Sequence, residues 1–125
     1  MNDRVIGIMG AMQEEIQEIL SIMKKVGVMN NGSRTYYTGY VNNTKTVVVF
    51  SRWGKVAAAS TATTLIHHFN INELVFTGVA GAIDSSLRIG DIIIGNSFYQ
   101  HDMDARPIFK RFEIPLLNIT YINTN

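Results

Sequence analysis

Val5-Ile6-Gly7-Ile8-Met9-Gly10-Ala11-Met12-Gln13-Glu14-Glu15-Ile16 reads as a short apolar strand, a small-residue turn and the first turn of a helix that carries two carboxylates. A continuous apolar run broken only by glycine suits a strand buried on both faces, as in a parallel or mixed sheet. In open α/β sheets, ligands bind beyond the carboxyl ends of the strands. A carboxylate on the turn after such a strand is placed to act as a base or to grip hydroxyl groups. A second turn of the same kind, Thr77-Gly78-Val79-Ala80-Gly81-Ala82, follows the apolar run Leu74–Phe76.

Outward from these turns, Met12, Ile16, Ile19, Leu20 and Met23 recur at helical spacing and predict a helix over 12–25, punctuated by Gly27. Thr35–Val41 and Lys45–Phe50 predict a hairpin about Asn42-Asn43, because Asn tolerates positive φ. Residues 55–69 predict a second helix with Ala58, Ala62, Leu65 and Phe69 on one stripe. Gly90 is expected to open a further apolar strand, Asp91–Ile94, running on toward Tyr99. The interval His101–Pro115 reads as a loop, and 116–125 begin an element that does not visibly finish. The order implies an α/β fold with a mixed central sheet flanked by helices.

Composition narrows the function classes. With 125 residues, 46% apolar and 17% charged, the chain is long enough to bury a core. A net charge of +1 with scattered basic residues argues against a nucleic-acid partner or an anionic membrane surface. No cysteine is present, which removes disulfides, thiol catalysis and cysteine metal sites. No apolar run approaches the roughly 20 residues of a membrane span, no signal-peptide pattern begins the sequence, and a cytoplasmic protein is the expectation. Phosphate-loop, dinucleotide and zinc-protease signatures are absent.

Each candidate motif has a plain alternative. Glu14 and Glu15 could simply complement the helix dipole. Residues 77–82 could be close backbone packing, or a shelf on which a flat ligand lies against exposed main chain. His67 and His68 suit a helix C-terminus. His101-Asp102-Met103-Asp104 is poor evidence for a metal, and no metal or organic cofactor is expected. Trp53 and Tyr36-Tyr37 read as packing residues, although Trp53 follows a strand end and could border a pocket.

The opening Gly7–Glu15 resembles that of the 5′-methylthioadenosine/S-adenosylhomocysteine nucleosidases, within the wider purine nucleosidase/phosphorylase superfamily. Tyr37-Thr38-Gly39, Gly54–Ala59, Thr77–Gly81, Gly90-Asp91-Ile92 and His101–Asp104 match in the same order. The resemblance implies a nucleoside phosphorylase-like fold and hydrolysis of the N-ribosidic bond of adenosine thioethers, releasing adenine, in a homodimer. It implies Glu15 as the base that activates water. Ala11 and Met12 would border water and ribose, Val79, Ala80 and Gly81 would line the purine shelf, and Trp53 would stand at the pocket edge. Ala105, Ile108 and Pro115 would cap the neighbouring subunit's alkylthio pocket.

Two departures accompany it. Arg52-Trp53 stand where many members carry Gly-Ile, and a cation there raises the alternative of a phosphate-dependent phosphorylase. The resemblance also covers only the first half of a typical member. Residues 1–125 therefore read as the N-terminal part of a single, apparently incomplete nucleosidase domain. No residue here can be assigned to protonating the purine or holding the ribose hydroxyls. A non-catalytic purine-binding or subunit-contact module is the third reading. The expectation for the isolated chain is poor solubility or dimerisation through exposed strand edges.

Overall fold

The computed structural model describes residues 4–124, which fall into two compact units, one ending at Gly81 and the next starting at Ala82. The first holds strand β1 (Val5–Gly10), helix α1 (Glu14–Ile22), strands β2 (Lys24–Asn31), β3 (Arg34–Val41) and β4 (Thr44–Phe50), helix α2 (Lys55–Phe69) and strand β5 (Glu73–Thr77). The five strands form one mixed sheet in the order β2-β3-β4-β1-β5. β1 runs parallel to both β4 and β5, while β2-β3-β4 is an antiparallel meander. The expected α/β fold with a mixed sheet between helices is the one observed.

Period-two alternation in β4 sends its side chains to opposite cores. Val47 and Val49 join Val5, Met9, Tyr36 and Leu65, with Ala58 and Phe69 of α2 packed against them. Val48 joins Ile16 and Met23, beside Ile19 and Leu20 of α1. The small-residue stripe of α2 lets the helix lie close to the sheet. The β3–β4 hairpin turns at Asn42 (φ 47°) and Asn43 (φ 65°), as the sequence predicts. A tight two-residue turn needs positive φ at both central positions, and Asn accepts it better than branched residues do.

The structure differs from the sequence reading at two places. The helix expected over 12–25 ends at Ile22, and β2 occupies Lys24–Asn31. Met23 is extended (φ −66°, ψ 142°) and turns its side chain into the α1-side core, so the chain leaves the helix one residue after α1 ends. β2 is then held by its ladder with β3, not by burial; nearly all its side chains are exposed, so no alternation marks it. A register shift between Lys24 and Gly27, with Lys25 at φ 53°, bends its beginning.

The second difference is the strand expected over Asp91–Ile94. That stretch makes no ladder, and Ile92 and Ile94 are 91% and 90% exposed. Apolar, β-branched composition makes a strand only where a neighbour accepts its backbone hydrogen bonds. Among the described residues of the second unit, pairing is confined to β6 (Ser97–Phe98) with β7 (Ile122–Asn123) and to a single bridge between Ile114 and Ile119. The interval 101–115 is made of turns, as expected for a loop, and Asn125 lies outside the described residues.

Leu65 has no exposed surface and touches the Val5–Val49 core, whereas its neighbour Ile66 is 48% exposed. Leu65→Ala is expected to cost about 2–5 kcal/mol, and Ile66→Ala less than about 0.5 kcal/mol. Urea unfolding followed by circular dichroism measures both; equal losses would contradict this packing.

Candidate functional site

The site follows from the register of three parallel strands. Gly10 stands opposite Phe50 of β4 and opposite Thr77 of β5, so three carboxyl ends converge at one edge of the sheet. Ser51 ties two of them together. Its N–H donates to the Gly10 carbonyl at 2.8 Å, and its buried hydroxyl donates to the same oxygen at 3.1 Å.

Glu15 sits between the ends of β1 and β5. One carboxylate oxygen accepts the Met12 N–H at 2.8 Å, and the other accepts the Val79 N–H at 3.2 Å. The first bond satisfies a donor at the start of α1, where Gln13 offers no side-chain cap, much as a capping box reaches backward. The second joins α1 to the turn after β5. Glu14, one position earlier, is exposed, and only Glu15 faces the edge.

Two glycines make room for this carboxylate. A Cβ on Gly78 would lie 2.8 Å from a Glu15 carboxylate oxygen, and one on Gly10 would lie 3.0 Å from the Glu15 Cβ. The sequence reading took residues 77–82 as a ligand shelf or as tight packing; Gly78 is in fact the seat of Glu15. Ser51 and Gly10 were likewise unassigned, and no pattern within one segment could have paired them, since 41 residues separate them.

Among the other expected site residues, Ala11 and Met12 form the half-buried turn after β1, and Val79, Ala80 and Gly81 are exposed beyond β5. The structure thus gathers Met12, Glu15 and Val79 at one point. Trp53 leaves the same edge after β4 and is 77% exposed. Next to it, Arg52 (φ 71°) lines a cleft of about 100 Å³ with Gln13, Ser33, Arg34, Thr35, Tyr37 and Phe50. In the second unit, Ala105 and Pro115 are half-buried and Ile108 is 82% exposed.

Asp104 of the His-Asp motif is engaged by Arg106, whose guanidinium and backbone N–H donate to it. These hydrogen bonds hold its carboxyl at about 2, below its ordinary 3.8. It is therefore ionised at neutral pH and holds no proton to give a leaving group. Among the described residues, no three His, Asp or Glu side chains cluster to hold a metal ion, and no helix is long and apolar enough to cross a membrane.

Comparison with known proteins adds an independent line. The family model described as the phosphorylase superfamily matches residues 5–124. A 5′-methylthioadenosine/S-adenosylhomocysteine nucleosidase of Staphylococcus carnosus is 37% identical over 118 residues, covering 94% of this chain and 52% of that protein. An aminodeoxyfutalosine nucleosidase of Campylobacter jejuni is 37% identical over 99 residues, covering 79% and 43%. Among solved structures, an S-adenosylhomocysteine nucleosidase of Streptococcus pyogenes, in complex with 5-methylthiotubericidin, superposes with a TM-score of 0.93 at 32% identity. That match covers 100% of this chain and 53% of the other. The chain spans about half the length of the relatives it matches.

Two outcomes are expected. Gly78→Ala displaces the Glu15 carboxylate, and exchange of the Val79 amide proton accelerates about tenfold as a charge-assisted bond is lost. Unchanged protection by NMR would contradict the seat. Asp104 titrates near pH 2 in the folded chain and returns toward 3.8 in Arg106→Gln, followed by its side-chain carbon shift. Because the folded value is lowered, the pair contributes fully above the ordinary Asp range and fades as pH falls through about 2.

Proposed function

The chain belongs to the phosphorylase superfamily, and from that premise we propose that it carries the water-activating part of a nucleosidase that hydrolyses the N-ribosidic bond of adenosine thioethers. The observation that carries the reading is the Glu15 carboxylate, fixed by two backbone N–H groups where the carboxyl ends of β1 and β5 meet. Cleavage of a ribosidic bond passes through a transition state with oxocarbenium character. A fixed carboxylate serves it twice: it stabilises the positive charge that develops on the ribosyl ring, and it takes a proton from the attacking water. The water oxygen bonds to the anomeric carbon as the bond to the purine nitrogen breaks.

In this reading Ala11 and Met12 border the water and the ribose. Val79, Ala80 and Gly81, whose small side chains and exposed main chain leave room for a flat ring, line the purine. Trp53 flanks the 5′-substituent. The chain supplies the N-terminal part of a nucleosidase domain, and none of its residues is assigned to protonating the purine. Ala105, Ile108 and Pro115 belong to the pocket of the neighbouring subunit in a homodimer. The substrates proposed are 5′-methylthioadenosine and S-adenosylhomocysteine, the setting the cytoplasm, and the role methionine salvage.

Phosphorolysis is the second reading, favoured by the cations Arg34 and Arg52. Their cleft is lined from the β2–β3 turn, β3, the end of β4 and Gln13 before α1, whereas the Glu15 carboxylate is bonded to the turns after β1 and β5. A carboxylate base activates water by taking its proton, whereas its charge repels phosphate.

The test follows adenine release from 5′-methylthioadenosine in phosphate-free buffer, beside calorimetric binding of adenine, for the chain and Glu15→Gln. Adenine binding is expected in both, and release is expected to be independent of phosphate and to fall about 10²–10⁴-fold in Glu15→Gln. Release that requires phosphate would sink the hydrolase reading. Absence of adenine binding would sink the site.

A further inference from the structure

We propose that Ser51 is a positioning residue for Glu15. Its hydroxyl clamps the carboxyl end of β1, so that the turn carrying the Met12 N–H, and with it the carboxylate, keeps one place. The bearing of this clamp on the reaction rests on the nucleosidase reading; the clamp itself does not.

The hydroxyl is surplus to the needs of the fold. The ladder between β1 and β4 runs out at the pair Gly10–Phe50. One residue on, the Ser51 N–H already satisfies the Gly10 carbonyl at 2.8 Å. Any residue other than proline would supply that bond. The hydroxyl lies 3.1 Å from the same oxygen and 3.0 Å from the Arg52 carbonyl, and shares its one proton between them. Alanine here would leave the Gly10 carbonyl paired, and Arg52 is exposed, so water can serve its carbonyl. Burying a hydroxyl costs free energy, yet Ser51 is only 1% exposed. What the hydroxyl adds is a second grip on the Gly10 carbonyl.

Ser51 is itself held. Its carbonyl accepts the Arg34 Nε–H at 3.2 Å, and Arg34 also donates to the carbonyls of Gly32 and Ala57. Thr61, with no exposed surface, donates to the Ala57 carbonyl at 2.8 Å and stands 3.5 Å from the Ser51 carbonyl. β3 and α2 therefore both bear on Ser51. A buried polar chain whose members are all satisfied stiffens the segments it joins.

The path from Gly10 to the carboxylate is short and is made by contact. A Cβ on Gly10 would lie 3.0 Å from the Glu15 Cβ and 3.2 Å from a carboxylate oxygen, so the Gly10 backbone lies against Glu15. Two residues beyond Gly10, the Met12 N–H donates to that oxygen at 2.8 Å. A shift of Gly10 thus moves both the surface on which Glu15 rests and the donor that holds it. The Val79 N–H, on the other oxygen, makes the longer bond of 3.2 Å. Reacting geometry tolerates little displacement, since about 1 Å of misplacement costs roughly 10²-fold in rate.

The experiment compares the whole chain with Ser51→Ala, Ser51→Thr and Thr46→Ala. Thr46 is as buried as Ser51, but its hydroxyl bonds the Thr44 carbonyl at the start of β4, so its loss reports what a buried hydroxyl is worth to the fold alone. The first readout is hydrogen exchange at the Met12 and Val79 amides by NMR. Both are expected to exchange about tenfold faster in Ser51→Ala, to recover toward the parent rate in Ser51→Thr, which restores the hydroxyl, and to stay unchanged in Thr46→Ala. Ser51→Cys, which keeps the volume and weakens the donor, gives the same test if the alanine variant does not fold. The second readout is adenine release from 5′-methylthioadenosine in phosphate-free buffer, where kcat is expected to fall about tenfold in Ser51→Ala with KM unchanged. Unchanged exchange in Ser51→Ala, or equal acceleration in Thr46→Ala, overturns the clamp. Accelerated exchange with kcat unchanged overturns its bearing on the reaction. If the parent chain releases adenine only with phosphate, the nucleosidase reading alone fails, and the exchange rates still decide the clamp.

Discussion

β1 is the strand on which the rest of the first unit depends. Among the described residues it is the only strand with a parallel neighbour on each side, and its register with β4 and β5 sets Phe50, Gly10 and Thr77 in a row. That row is where the sheet stops and three connections begin. Each connection then solves the same problem, which is to satisfy backbone groups that no longer have a ladder partner. The Gly10 carbonyl takes two donors from Ser51, and the Met12 and Val79 N–H groups take the two oxygens of Glu15. One carboxylate therefore acts as structural cement for two turns before any chemistry is asked of it.

This dual use explains why both turns are built from small residues. A carboxylate can reach the N–H groups of two different turns only if neither turn carries side-chain bulk in its path. The shortest contact that a Cβ would make is 2.9 Å at Gly10 and 2.8 Å at Gly78, too short for ordinary packing. Small residues also leave main chain uncovered at Val79–Gly81, the stretch proposed to line the purine. One compositional choice thus seats the acid and opens the adjoining surface.

Much of this was legible from the sequence, and the limits are physical. The strand–turn–helix of residues 5–16, the Asn42-Asn43 hairpin and the helix over 55–69 each carry a local cause: apolar burial, positive φ, helical spacing. β2 carried none, because an edge strand held by backbone bonds leaves its side chains in water and its pattern unwritten. Asp91–Ile94 failed in the opposite sense: the pattern is written, but the ladder that would realise it is missing from the described residues. At the site, Glu15 was visible because it follows a strand by a few residues. The partnership of Glu15 with Val79, 64 residues away, was not, nor was Arg34, which precedes the hairpin expected from Thr35 and was given no role.

The hydrogen bonds at this edge also fix the direction of the carboxylate. One Glu15 oxygen is held by the Met12 N–H and the other by the Val79 N–H, so both are tethered by turns on different strands. Under the proposed reaction, a ribosyl ring gains positive charge only as its bond to the purine breaks. A carboxylate already fixed beside it stabilises that charge without reorganising, whereas a mobile one would first have to be ordered. The same two bonds that close the turns thus hold the group in the geometry that the proposed chemistry needs.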